Sequence, residues 1–272
     1  MKVKKTNPKK VIYYRDLLND DFAGTKINRK NLDENFVYVH RNIFWQIASF
    51  FVYYFFALPI LFITCKLALG VKVINRRAIK KVKNSGYFIY GNHTQIMDAF
   101  ITQVLITRLR KTFIIADPDA VSIPGIRALV MMLGCLPLPS TVGGTRKFLE
   151  AIKYHIEKKK AILIFPEAHI WPYATLIRPF SSSSFRYPAT LGAPVVPIVT
   201  TYQARRGIFK KCLRPRMVVT VGEPIFPNLT LSLKEMMQDL RDQTYNFMLE
   251  HSSKPGNVEY YRYEMQTNNL EK

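Results

Sequence analysis

The sequence predicts an α/β domain with a mixed, mostly parallel central sheet flanked by helices, and an N-terminal membrane-anchoring helical segment ahead of it. From residue 71 onward, short β-branched or aromatic runs alternate with longer segments of helical spacing, which is typical of a sheet covered by helices. Residues 161–165 are all apolar, as expected for a strand buried on both faces. Residues 42–65 carry no charge, and this run predicts the anchor.

The individual elements follow from the same patterns. Strands are predicted at residues 71–75, 87–90, 112–116, 161–165, 195–201 and 217–221, with another beginning within 134–138. Helices are predicted at residues 99–109, 125–133, 145–159 and 231–250. The chain divides into a basic, otherwise unassigned arm (1–41), the anchor (42–70), the α/β domain (71–250) and a C-terminal tail (251–272). A chain of 272 residues is long enough to bury the core that this domain requires.

The charge of the chain points to an anionic partner. Lys and Arg number 40 against 19 Asp and Glu, a formal net charge of +21, which favours a nucleic acid or an anionic lipid surface. Residues 1–10 contain five lysines and no acid, and we expect this part of the arm to be mobile and to favour anionic headgroups. The three cysteines are widely spaced, so neither a disulfide framework nor a metal-ligand pair is predicted, and a reducing compartment fits best. The first thirty residues lack the apolar core of a cleavable signal peptide.

The anchor has two possible forms. Its length is just sufficient for a helix that crosses a bilayer. Pro59 and the phenols of Tyr53 and Tyr54 lie within it, and they favour an alternative in which the helix breaks near Pro59 and forms a hairpin in one leaflet. A buried core helix of a soluble protein is a third alternative.

His93 lies where the predicted strand 87–90 gives way to a tight turn and a helix, and Asp98 follows about one helical turn later. A carboxylate in this position can hold one imidazole nitrogen and leave the other to take a proton from a substrate hydroxyl. The non-functional alternative is a half-buried histidine beside a surface aspartate.

Glu167 directly follows the apolar strand 161–165, and Pro166 stiffens the strand exit. Carboxyl ends of parallel strands meet at one edge of a sheet, so we expect Glu167 at the same edge as His93. The alternative is a solvent-facing loop acid.

Three segments together resemble three of the four motif blocks of the glycerolipid acyltransferase family: residues 92–98, which carry the HX4D motif, residues 165–167 and residues 192–198. The resemblance covers roughly residues 71–224. It implies that His93 is the general base on the acceptor hydroxyl, that Asp98 orients it, that Glu167 helps hold the acceptor headgroup or its turn, and that Pro197 shapes the donor side. Asn92 or a backbone N–H near the helix start would donate to the oxyanion.

The resemblance implies a membrane-associated acyltransferase of phospholipid biosynthesis, similar to 1-acylglycerol-3-phosphate O-acyltransferase. It would transfer a fatty acyl group from acyl-CoA or acyl carrier protein to a lysophospholipid hydroxyl, with its active site on the cytoplasmic side of the membrane. Because a thioester is already activated, the reaction needs a base, an oxyanion donor and positioning. We therefore expect no metal and no cofactor beyond the acyl donor. The cysteines lie outside the matching blocks, so no thiol intermediate is expected. Membrane lipids are the expected partner, and nucleic acid is not.

The chain departs from the family where the acceptor phosphate is held. Ser140 stands where the phosphate-binding arginine of the second block is expected, Ala168 and His169 follow Glu167 in place of Gly-Thr, and four serines occupy residues 181–184. Either Arg146, Arg178 or His169 supplies the missing cation, or the acceptor is not lysophosphatidic acid. His169 and Arg178 are therefore candidate acceptor-binding residues.

Three alternative functions remain open at this point. The chain could acylate a different hydroxyl acceptor, or it could be a hydrolase that uses the same histidine and aspartate. It could also be a non-catalytic protein that binds anionic surfaces, lipid or nucleic acid, on the same fold.

Overall fold

The computed structural model describes residues 8–23 and 29–266. Its fold is built around a seven-stranded sheet, beside which lies a sheet of two strands. The strands are β1 (Lys10–Tyr14), β2 (Lys72–Ile74), β3 (Tyr87–Gly91), β4 (Thr112–Ala116), β5 (Cys135–Pro137), β6 (Ala161–Ile164), β7 (Val195–Gln203), β8 (Arg216–Val221) and β9 (Tyr261–Met265). The large sheet has the order β2-β8-β7-β3-β6-β4-β5. Its neighbouring strands are parallel except for the antiparallel pair β7 and β8. The predicted mixed, mostly parallel sheet is confirmed.

Helices cover both faces of this sheet. The helical segments are Ile43–Ala68, Asp98–Thr107, Asp119–Ser122, Arg127–Met132, Val142–Glu157, Arg186–Leu191 and Leu233–Ser252, of which the first two contain π-helical turns. Short 3-10 turns lie at Arg76–Val82, Ser183–Phe185 and Gly207–Lys211. The four helices predicted for the domain are present, with ends shifted by a few residues. Helix Leu233–Ser252 begins at a capping box in which Ser232 and Glu235 bond reciprocally.

Alternating side chains of the central strands fill two separate apolar cores. On one face, β3 and β7 pack against helices Val142–Glu157 and Leu233–Ser252, through residues that include Phe88, Val195, Phe148 and Leu240. On the other face, the same sheet packs against helix Asp98–Thr107 and the N-terminal helix, through residues that include Ile89, Leu163, Val104 and Cys65. Burial on both faces explains why the central strands are apolar runs without alternation.

The N-terminal apolar segment is one continuous helix, Ile43–Ala68, long and apolar enough to cross a membrane. Of the two forms left open for the anchor, the structure has the continuous helix, without the break near Pro59 that a helical hairpin requires. The helix is π-helical over Val52–Ala57, immediately before the proline. A π turn displaces the hydrogen-bond ladder by one residue, and this displacement accommodates the missing proline N–H without ending the helix.

This helix lies along the domain instead of being buried inside it. The Ser49 hydroxyl donates to the Met132 carbonyl at 3.1 Å, and the Tyr54 hydroxyl donates to the Leu109 carbonyl at 2.8 Å. Its outward face exposes large apolar side chains: Ile43, Phe44, Ile47, Phe50, Phe51, Phe55, Phe56, Ile60, Phe62, Ile63 and Leu67. Such an apolar surface does not fit the alternative of a buried core helix.

The first and last strands form a small second sheet. Strand β1 pairs in parallel with β9, with Lys10 opposite Tyr261. The arm and the tail, predicted as separate segments, are therefore joined to each other and to the domain. Residues 1–7 of the predicted mobile arm lie outside the described residues.

Candidate active site

His93 leaves the carboxyl end of β3 with its ring fixed against a neighbouring strand. A side chain at Gly91 would place a Cβ 2.8 Å from Ile198 Cγ1, so any other residue here would force the side chain of Ile198 on β7 to move. The imidazole lies flat on the ring of Phe165, with centroids 4.0 Å apart and planes 7° apart. Its side chain is 14% exposed, so part of it remains accessible from solvent.

Asp98 faces this imidazole from the first turn of the next helix. Its Oδ2 lies 3.4 Å from His93 Nδ1 and accepts the backbone N–H groups of Thr94 at 2.6 Å and Gln95 at 2.8 Å. These bonds fix the buried carboxylate in place. Because a carboxylate only accepts, Nδ1 of a neutral His93 carries the proton in this pair, and Nε2 is left to accept one.

The Glu167 carboxylate is bonded to the main chain of the same histidine. The His93 N–H donates to Glu167 Oε2 at 3.1 Å, and the Arg178 N–H donates to Oε1 at 2.9 Å. Burial raises the pKa of Glu167, and the positive charge of Arg178 opposes that rise. Glu167 is buried, so the alternative of a solvent-facing loop acid is wrong.

Arg178 lies beneath the loop that follows β6. Its residue is 1% exposed, and Nη2 donates to Glu167 Oε2 at 3.3 Å and also to the carbonyl of His169. The guanidinium carbon is 4.8 Å from the ring centroid of Trp171. Burial lowers the pKa of Arg178, and its Nε and Nη1 have no hydrogen-bond partner within residues 8–23 and 29–266. In this conformation the geometry favours holding Glu167 over the expected direct contact with an acceptor.

The loop between Pro166 and Arg178 runs beside the histidine segment and is bonded to it. Trp171 N–H donates to the His93 carbonyl at 3.1 Å, and Tyr173 N–H donates to the Thr94 carbonyl at 3.2 Å. Tyr173 has a φ of 59°, a left-handed conformation that non-glycine residues adopt mainly where the surroundings impose it. His169 is about one-third exposed, with Nδ1 3.6 Å from Asp21 Oδ2. It is therefore the member of the expected acceptor pair that a substrate can reach.

An aromatic cover on this loop went unpredicted. Trp171 is fully buried, donates from its indole N–H to the Asp20 carbonyl at 2.7 Å, and stacks on Tyr263 at 4.7 Å. Tyr14 and Phe22 each lie 5.1 Å from the Trp171 ring. These aromatic residues come from β1, from the segment that follows it and from β9. The sequence signal that could have predicted the cover is the group of tyrosines within residues 260–263.

Asn92 is placed differently from its expected oxyanion role. Its side-chain amide donates to the Thr200 carbonyl at 3.0 Å, and its Oδ1 accepts the Thr200 N–H at 2.7 Å. The buried side chain thus continues the pairing of β3 with β7 past the end of the strand. The geometry supports a turn-forming role and not an oxyanion donor.

Pro197 also lies away from His93. It packs against Gly222 and Phe247 on the sheet face that carries helix Leu233–Ser252, whereas Phe165, on which the His93 ring stacks, belongs to the opposite face. The expected donor-side role of Pro197 therefore receives no support from the geometry.

Ser140, at the position expected for a phosphate-binding arginine, is covered by the segment around Leu32. Ser140 N–H donates to the Leu32 carbonyl at 3.1 Å, and Leu32 N–H donates to Ser140 Oγ at 3.2 Å. A Cβ on Gly144 would lie 2.5 Å from the same Leu32 carbonyl. Arg146 is exposed and pairs with Glu150 at 3.2 Å. The segment around Leu32 thus closes the place where the second block would supply a cation.

Comparison with known proteins agrees with the motifs. The Acyltransferase family model matches residues 70–201, a range that contains β3, β6 and the residues around His93 and Glu167. Among solved structures, the chain is similar to the 1-acyl-sn-glycerophosphate (LPA) acyltransferase PlsC from Thermotoga maritima, at 17% identity and a TM-score of 0.54. That match covers 78% of this chain and 88% of the other, and it shows a shared fold. No curated protein matches the chain.

Proposed function

Residues 70–201 of this chain belong to the acyltransferase family, and from that premise we propose that the protein transfers a fatty acyl group from an acyl thioester to a lysophospholipid hydroxyl at a membrane surface. The predicted relationship to the glycerolipid acyltransferases is confirmed. The observation that carries the proposed reaction is the buried Asp98 carboxylate on Nδ1 of a partly exposed His93. This pair provides a base with one fixed tautomer.

The proposed reaction is a single acyl transfer. His93 Nε2 takes the proton of the acceptor hydroxyl as its oxygen attacks the thioester carbonyl carbon. The tetrahedral intermediate then collapses, the carbon–sulfur bond breaks, and the leaving thiolate takes the proton back from His93. Acyl-CoA or the acylated form of acyl carrier protein serves as the donor, and the sum is one ester formed and one thiol released. Asp98 acts through His93, because its Oδ2 also holds the turn that presents the imidazole.

The oxyanion donor falls to the main chain in this proposal. The amide of Asn92 is bonded to Thr200, and the N–H groups of Thr94 and Gln95 point to Asp98. The N–H groups of Ile96 and Met97 follow in the same turn, and neither has an acceptor in the part of the chain that the structure describes. A pair of backbone donors beside the base is a common way to stabilise a tetrahedral oxyanion.

The acceptor is where this chain differs from its relatives. Ser140 offers no cation, and Arg178 is buried under its loop. A phosphate monoester needs charge-assisted donors. We therefore propose that lysophosphatidic acid is either a poor acceptor or one held by His169 together with Arg178, the latter acting through Glu167 and the loop.

The exposed apolar face of helix Ile43–Ala68 supports the proposed membrane association. The net positive charge favours the anionic cytoplasmic leaflet, and we propose that the active site lies on that side. Membrane lipids are then both the environment and the acceptor pool.

Transfer by the purified full-length protein in mixed micelles tests the function. Acyl-CoA and acylated acyl carrier protein are offered in turn with a panel of lysolipids that includes lysophosphatidic acid. Mass spectrometry measures acylated lipid, and a thiol reagent measures the released thiol. We expect equal amounts of ester and thiol, and neither in His93→Ala. Thiol release without an acylated lipid would support the hydrolase alternative.

The acceptor pocket is tested in the same assay with Arg178→Ala and His169→Ala, and with His251→Ala as a control at the far end of helix Leu233–Ser252. We expect His169→Ala to reduce transfer to lysophosphatidic acid more than transfer to uncharged acceptors. Arg178→Ala, which acts through Glu167 and the loop, should reduce transfer to every acceptor, because Glu167 also holds the His93 N–H. Efficient acylation of lysophosphatidic acid that is indifferent to both changes would show that this interpretation of the pocket is wrong.

A further inference from the structure

The loop between β7 and β8, residues 204–215, combines positive charge with exposed apolar side chains. It contains five basic residues and no acid: Arg205, Arg206, Lys210, Lys211 and Arg214. Phe209 is 47% exposed and Leu213 is 82% exposed. Large apolar side chains interleaved with cations at a surface are typical of segments that enter the headgroup region of a bilayer.

This loop is joined to the end of the apolar helix. Arg205 Nη2 donates to the Ala68 carbonyl at 2.6 Å, and its Nε donates to the Arg214 carbonyl at 3.0 Å. A guanidinium on a free carbonyl of the last helical turn satisfies that carbonyl and complements the helix dipole. Leu67, in the same last turn, is exposed. The loop is therefore bonded to the C-terminal end of helix Ile43–Ala68, whose outward face is apolar.

The loop also adjoins the catalytic edge of the sheet. Strand β7 runs parallel to β3, so its carboxyl end and the loop that follows lie on the side where His93 emerges. Near that end, the Tyr202 hydroxyl donates to Thr94 Oγ1 at 2.6 Å, and Gln95 Nε2 donates to the Tyr202 hydroxyl at 3.3 Å. Thr94 and Gln95 are the residues whose N–H groups hold Asp98.

We infer that residues 204–215 form a second membrane contact, one that recognises anionic lipid headgroups and turns the catalytic edge toward the bilayer. The cations select an anionic surface over a zwitterionic one. The apolar side chains of Phe209 and Leu213 favour a bilayer over a nucleic acid, because a duplex offers Leu213 no apolar phase to enter. The inference deepens the proposed function, since a lipid acceptor must reach His93 from the membrane, but its test does not depend on acyl transfer.

Cys212 provides a reporter within the loop itself. It is exposed, whereas Cys65 and Cys135 are buried, so a thiol-reactive fluorophore labels the native full-length chain at this position. The labelled protein is placed in lipid nanodiscs that are either zwitterionic or rich in anionic lipid, and quenching by the neutral, water-soluble quencher acrylamide is measured. We expect strong shielding of the label in anionic discs and little in zwitterionic ones.

A matched pair of variants separates the loop from charge in general. Arg206→Ser with Lys210→Ser and Lys211→Ser removes three cations from the loop, and each should weaken its attraction to an anionic surface on the order of fivefold. The control changes Lys147, Lys153 and Lys158 to Ser, which removes the same charge from exposed positions in and just beyond helix Val142–Glu157, on the other face of the sheet. We expect shielding to be lost in the first variant and retained in the control.

Three results would overturn the inference. Equal shielding of the label in both kinds of disc would show that the loop does not select anionic lipid. An equal loss of shielding in the control variant would show that the effect comes from total charge and not from the loop. Stronger shielding by duplex DNA than by anionic discs at the same salt would identify a nucleic acid as the partner. His93→Ala should keep normal shielding, so a failure of the proposed catalysis and a failure of this contact are distinguishable.

Discussion

The backbone N–H of His93 donates to Glu167 Oε2 at 3.1 Å, so the carboxylate that follows β6 is bonded to the residue that follows β3. The adjacent parallel strands β3 and β6 bring these residues together. Arg178 completes the unit, because it bonds both oxygens of the same carboxylate. The position of the proposed base therefore depends on a buried ion pair between Glu167 and Arg178, at the two ends of the loop that follows β6.

Breaking that ion pair should destabilise the protein strongly. Arg178→Ala leaves the Glu167 carboxylate buried without its cation, a loss typically of about 3–5 kcal/mol in the free energy of unfolding. Adding Glu167→Gln to this variant should recover part of the loss, because the amide carries no charge. Unfolding of the two single variants, the double variant and the wild type in one detergent measures the coupling. If the losses in the free energy of unfolding of the two single variants simply add in the double variant, the two side chains are not energetically coupled, and the account is contradicted. Arg146→Ala, in an exposed ion pair, serves as the control.

The paired termini should hold the loop over the site. Tyr263 stacks on Trp171, and its hydroxyl donates to the Pro172 carbonyl at 2.8 Å. Tyr263→Phe removes one hydrogen bond, worth about 1 kcal/mol, whereas Tyr263→Ala also removes the ring from Trp171. We expect Tyr263→Ala to make the loop after β6 sensitive to limited proteolysis and to lower transfer, and Tyr263→Phe to do neither to a large extent. Equal protease resistance in all three proteins would contradict this role of the termini.

A buried histidine away from the site should make stability depend on pH. His155 stacks on Phe113 at 3.6 Å, and burial, reinforced by the charges of Lys111 and Lys160, lowers the pKa of His155 from 6.5 to about 3. The unfolded chain takes up this proton at the ordinary pKa. Above pH 6.5 His155 is neutral in both states, and the free energy of unfolding is not reduced by this residue. As the pH falls from 6.5 toward 3, only the unfolded chain binds the proton, so the free energy of unfolding decreases.

Between pH 6.5 and 5 this loss amounts to about 2 kcal/mol. His155→Phe keeps the ring against Phe113 but has no proton to bind, so its thermal midpoint should fall less between pH 7.5 and pH 5 than that of the wild type. Parallel falls in the two proteins would contradict the assignment.

The sheet and the two halves of the site could be predicted from the sequence, because each depends on a local signal. Strand β6 is a short apolar run with a proline just after it, and β3 ends in Gly91 before His93. Once both strands are placed in a parallel sheet, the geometry of the sheet brings Glu167 to the edge that carries His93.

What could not be predicted depends on contacts between distant segments. Strand β1 pairs with β9 across most of the chain, and no local pattern shows that pairing. The amide of Asn92 is taken up by Thr200 on a neighbouring strand, so its type alone suggested a catalytic donor. At Pro59 the local rule predicts a break, but the π turn before it keeps the helix continuous.

The turnover of His93→Ala tests the central claim, that His93 is the base and Asp98 orients it. General-base help is typically worth 10²–10⁴-fold, so we expect purified His93→Ala to lose about that much in kcat while it keeps the thermal midpoint and membrane sedimentation of the wild type. Asp98→Asn should cost less in kcat, and His251→Ala, at the end of helix Leu233–Ser252, should cost nothing. Near-normal turnover by folded, membrane-bound His93→Ala would contradict the account.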